Sequence, residues 1–205
     1  MIKHINNKFQ TNAMRIKKEI RILGIDDSNF TREDKEVLVV GALLRGGFWI
    51  DGVVSTYIER DGLDATEKIS DMITNARYKD VRAIMLKGIT MAGFNLVDIQ
   101  QLSNATGLPV VVIMRKMPDF ISIERALENL SLKNKRLEII KKAGKIYSTK
   151  VQYNSEIFFQ YYGIEDQDAR ELIRISSMHS NIPEPIRVAH LIATGVVRGE
   201  STKKP

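Results

Sequence analysis

Two short stretches place reactive side chains where a sheet protein can use them. Leu23-Gly24-Ile25-Asp26-Asp27-Ser28 ends an apolar run in two carboxylates, and Val81–Leu86 ends in Lys87-Gly88. In sheets covered by helices, functional groups collect at the carboxyl ends of strands. A carboxylate there suits a hard cation such as magnesium, which takes one or two carboxylates and completes its octahedron with water and phosphate. Neighbouring strand residues point to opposite faces, so only one of the two aspartates can serve a given cleft. Asp26, two residues after Gly24, is the candidate, whereas Asp27-Ser28-Asn29 has the composition of a turn. An ammonium at the same level has three donors and no acceptor. Three roles are open to Lys87: a solvated strand end, a phosphate contact, or a cation where a metal ligand would otherwise stand.

A second acidic group, Asp61, Asp64 and Glu67, opens the next helical segment. Asp64 has the bland role of an N-cap, worth ~1 kcal/mol, and the sharper one of a metal ligand facing the end of the first strand. Other constellations are weak. His4, His179 and His190 lack the spacing of a zinc pair, and His190 is expected to pack at a helix surface. No G-x-S-x-G elbow or P-loop lysine motif is present. The absence of cysteine excludes disulfides, thiolate metal sites and cysteine nucleophiles.

The elements that must position these groups follow from period and punctuation. Residues 19–26, 35–44 and 48–59 form three apolar strands, with Gly46-Gly47 marking a tight reversal, so an antiparallel meander is predicted. Ile69, Met72, Ile73 and Ala76 then share one helical face. A fourth strand over 81–87, a helix within 94–106 and a fifth strand over 109–115 follow. The order βββαβαβ joins a meander to parallel crossovers, the arrangement of the ribonuclease H-like fold: a mixed five-stranded sheet flanked by helices. Beyond it come helices near 122–130 and 133–144, a hairpin of 145–153 with 156–163 around Asn154-Ser155, and helices over 165–178 and from Pro183 or Pro185.

The 205 residues suit a single domain over 20–200, preceded by a basic segment, 1–19, and followed by a short tail, 201–205. No apolar run approaches the roughly 20 residues that span a bilayer, and residues 1–10 lack a signal-peptide core. A cytoplasmic protein with no membrane association is the expectation. The net charge of +6 is unevenly placed: residues 1–21 carry six Lys and Arg against Glu19, and 131–150 carry seven against Glu138. Such clusters attract polyanions, nucleic acid first among them, or serve as solubilising surface.

Four blocks together resemble a known family: "IRILGIDDSNF", "LLRGGFWIDGVVSTYIERDGLDATEKI", "AIMLKGITMAGFNLVDIQQLSNATGLPVVVIMRK" and "NIPEPIRVAHLIATGVVRGES". They are similar to archaeal endonuclease V-like proteins, distant relatives of endonuclease V, a metal-dependent nuclease of ribonuclease H-like fold that cuts near deaminated bases. The resemblance implies nucleic acid, DNA or RNA, as partner and Mg2+ or Mn2+ as cofactor. It implies Asp26, Asp64 and Lys87 as the catalytic positions, and Asp26, Asp64 and Glu165 as metal ligands. Tyr57, Arg115 and Lys116 are the implied nucleic-acid contacts. Two departures stand out. Lys87 occupies the position of a metal-binding aspartate, and "STYIERDG" keeps Tyr57-Ile58 of the strand-opening wedge without its prolines. Two functions follow as expectations: a metal-dependent phosphodiesterase with Lys87 on phosphate, or a non-catalytic nucleic-acid-binding or protein-interaction module on the same fold.

Overall fold

The computed structural model describes residues 16–151 and 155–201. Most of the basic N-terminal segment, Asn154 and residues 202–205 lie outside them. Strands β1 (Arg21–Asp27), β2 (Glu36–Arg45) and β3 (Trp49–Glu59) form the meander, α1 (Ala65–Thr74) follows, and β4 (Ala83–Lys87) returns parallel to β1. A two-stranded ribbon, β5 (Thr90–Met91) with β6 (Asn95–Leu96), then precedes α2 (Ile99–Thr106) and β7 (Val110–Met114). The chain continues through α3 (Phe120–Leu127), α4 (Lys133–Lys142), β8 (Tyr147–Lys150), β9 (Glu156–Tyr162), α5 (Asp166–Ser176) and α6 (Glu184–Arg198).

The sheet order is β3-β2-β1-β4-β7-β9-β8. The expected hairpin is therefore not a separate unit: β9 pairs antiparallel with β7, and the sheet has seven strands rather than five. Local sequence shows that two strands pair, but not which edge they extend. The helix read from Phe94 starts only at Ile99, because Asp98 caps it by accepting from the amides of Gln100 and Gln101, both at 3.0 Å. The intervening residues make the ribbon, whose turn needs positive φ at Ala92 and Gly93, 46° and 86°.

Alternation along the strands sorts the core into two layers. Leu23, Ile25, Ile84 and Leu86 face α1 and α2. Ile22, Ala83 and Met85 face the opposite side, with α5 residues Leu172 and Ile173 and with Ile186 at the start of α6. Leu38, Val40, Ala42 and Leu44 of β2 meet Ala189 and Ala193 of α6 on that same side. Gly24 lets the two come together: a Cβ there would overlap the backbone of Pro185 and Ile186. The first turn of α6 therefore rests directly on β1, two residues from Asp26.

Candidate functional site

Asp26, Gly24 and Ile22 share the α6-facing side of β1, and Lys87 extends the Ala83–Met85 row of β4 on that side. The three groups that meet there are Asp26, Lys87 and His190. Lys87 Nζ donates to Asp26 Oδ2 at 3.0 Å, and His190 Nδ1 lies 2.8 Å from the same oxygen. Lys87 Nζ and His190 Nδ1 are 3.4 Å apart. Asp26 is 2% exposed and the His190 side chain 13%, while that of Lys87 is 32% exposed and faces the opening. Asp26 Oδ1 accepts from the amide of Asp27 at 3.0 Å, so both oxygens are engaged. With Nδ1–H donating to Asp26, the His190 ring is held in one orientation and leaves Nε2 as its remaining acceptor.

Asp27 is not a solvated turn residue. It ends β1 on the opposite face, where Oδ2 accepts from the amide of Ala92 at 2.7 Å and pins the ribbon turn. Burial, and then the neighbouring Asp26 charge, push its pKa up to about 6.

Asp64 stands at the same end of the sheet but on the α1 side. Its Oδ1 accepts from Asn95 Nδ2 at 2.6 Å and from the Glu59 amide at 3.2 Å. Although it occupies the cap position of α1, it makes no side-chain cap bond; Asn95 Oδ1 accepts from the Ala65 amide instead, at 2.9 Å. Glu165 precedes α5, just past Tyr162, which pairs with Val110 at the amino end of β7. That is the end of the sheet away from Lys87, which pairs with Ile113. Asp26 and Lys87 are thus brought together, whereas Asp64 and Glu165 are held elsewhere. Tyr57, 55% exposed, lies on the Asp26 side of the sheet, since Leu38, its partner across β2, faces α6. Arg115 and Lys116 are exposed just beyond β7, at the Lys87 end.

These residues do not fit a carboxylate metal centre. The acceptor expected to ligate the ion already holds an ammonium and an imidazole, and the other aspartates are turned away or tied to amides. Among the described residues, no group of three or more His, Asp or Glu side chains is arranged to hold a metal ion. His190 contradicts the surface-packing expectation. One signal was present: it lies four residues after Ile186 and next to Ala189, on the edge of the apolar face of α6. What the sequence lacked was the close approach of that helix to β1.

Residues 18–197 match the family model described as endonuclease dU. The chain belongs to the endonuclease dU family. The UPF0215 protein of Methanosarcina acetivorans is 54% identical over 188 residues, covering 91% of this chain and 95% of its own. The crystal structure of a protein of unknown function from Archaeoglobus fulgidus shares 38% identity and superposes with a TM-score of 0.79, covering 88% of this chain and 99% of its own. Endonuclease V from Ciona intestinalis, solved with a 24mer DNA containing an inosine followed by a ribo-adenosine, superposes with a TM-score of 0.56 at 11% identity, over 83% of this chain and 82% of its own. At that identity the likeness is one of fold, which is ribonuclease H-like. The resemblance read from the four sequence blocks is borne out, as is the fold class. No helix among the described residues is long and apolar enough to cross a membrane.

Proposed function

We propose that this chain binds nucleic acid across the carboxyl ends of β1 and β4, and that Lys87 serves there as a fixed cation for a backbone phosphate. The observation that supports this reading most directly is Lys87 Nζ on Asp26 Oδ2 at 3.0 Å, with a third of its side chain exposed. A buried carboxylate with two donors keeps the ammonium in place, and the exposed part of the lysine is free to meet a phosphate oxygen. Tyr57, Arg115 and Lys116 extend the surface at that end. The family's description makes DNA containing dU the first ligand to test, and the Ciona complex makes inosine-containing DNA the second.

A second reading, metal-dependent cleavage with Asp26 and Asp64 as ligands, has the family's description in its favour. It requires Lys87 to leave Asp26. The two readings separate in one set of measurements: anisotropy of labelled DNA and RNA, with and without deoxyuridine or inosine, alongside cleavage assays over a Mg2+ or Mn2+ titration. Salt-sensitive binding that survives EDTA, without cleavage, is the expected result. Metal-stimulated cleavage that disappears in Asp26→Asn would overturn it. Failure to bind any of these strands at low salt would turn the assignment toward a protein-interaction module.

A further inference from the structure

Helix α3 follows β7 at the Lys87 end of the sheet and buries a single one of its residues, Leu127. Its outer side is apolar. Met117, just before the helix, is 54% exposed, Phe120 51% and Ile121 66%. Three large apolar groups in water on one short segment are unusual for a solitary surface. The segment is also the most cationic part of the molecule. Residues 115–145, from the end of β7 to the start of β8, contain nine Lys and Arg against four acids, a net +5 within a chain of +6.

This arm is anchored to the site. The Arg136 guanidinium, 1% exposed, donates to the carbonyls of Asp61 at 2.6 Å and Gly62 at 3.0 Å, and to that of Phe94 in the ribbon. Its Nε donates to Ser131 O, in the turn between α3 and α4, at 3.1 Å. The ribbon in turn begins three residues after Lys87.

We propose that α3 is a nucleic-acid wedge: Phe120 and Ile121 enter a base step while Arg115, Lys116 and Arg125 hold the phosphates beside it. This rests on the reading of the Lys87 end as a nucleic-acid surface and specifies how the strand is distorted there. The occupant is chosen by charge. Apolar side chains ringed by cations match a polyanion whose interior is a stack of flat apolar bases, and inserted Phe, Ile or Met side chains partly unstack such steps. An apolar protein surface would not need the net +5, and a second copy of the chain would bring the same charge against it.

The test uses the full chain and a short DNA duplex carrying 2-aminopurine beside one deoxyuridine. Wild-type binding should raise the 2-aminopurine fluorescence as the step unstacks. Phe120→Ser with Ile121→Ser should bind within a few-fold of wild type and lose that rise, with an unchanged circular dichroism spectrum. Arg115→Gln with Lys116→Gln should lower the slope of log affinity against log salt by about 2, one counterion for each lost phosphate contact. Wild-type binding with no fluorescence rise overturns the wedge and leaves the binding reading standing. Absence of any binding overturns both. A dimer in light scattering that the double serine variant disperses would assign α3 to self-association and overturn the wedge.

Discussion

Asp26 carries an ammonium and an imidazole on one oxygen while almost out of contact with water. Removing one partner from a buried charge costs more than the pair contributes, because desolvation is left uncompensated. Lys87→Met should therefore destabilise the fold by about 1–3 kcal/mol, the lower part of that range reflecting the lysine's partial exposure; urea denaturation measures it. Asp27 gives the opposite sign. Its pKa of about 6 lies above the unfolded value of 3.8, so ionisation works against folding. The penalty is absent below pH 3.8, grows as pH rises through 6, and is complete above that. Asp27→Asn keeps an oxygen for the Ala92 amide and removes the charge. At pH 8 it should be more stable than wild type by about 1–3 kcal/mol, and the difference should vanish as the pH approaches 4. Melting curves across that range decide the matter; a gain independent of pH would refute this account.

At the scale of elements, α4 is tied to the rest of the fold by the Arg136 guanidinium and four carbonyls, with no carboxylate among the partners. Burial lowers the arginine's pKa from its ordinary value. Arg136→Met would leave those carbonyls without donors and should cost about 3 kcal/mol. Limited proteolysis should then cut within 128–135 faster than in wild type. The Arg136 role was not legible in advance, since it sits in a run of lysines and arginines that looks like solvated surface. The meander, β4, β7 and the helices were legible, because apolar period and glycine turns are local signals. What escaped was long-range: β9 choosing the β7 edge, the ribbon after Lys87, and His190 reaching Asp26. The Asp26–Lys87 contact was anticipated because parallel strands align their ends. Asp27 was misread because turn-forming composition also suits a residue that caps a turn elsewhere in the chain.

For the molecule as a whole, the site depends on α6 lying directly on β1. Gly24→Ala would place a methyl in the Pro185–Ile186 backbone, which cannot yield as a side chain can. The expected loss is about 3 kcal/mol, together with displacement of His190 from Asp26, visible as a changed His190 ring resonance. Asp26→Asn should leave that packing intact, which separates the two variants. At the far edge of the same sheet, among the described residues, β3 has a neighbour on one side only. Its amides must therefore divide alternately between bonds to β2 and bonds to water. In heavy water the strand should label like a zipper with every second tooth open. Every second deuteron should enter at near-solvent speed, and its neighbours only when the meander itself opens.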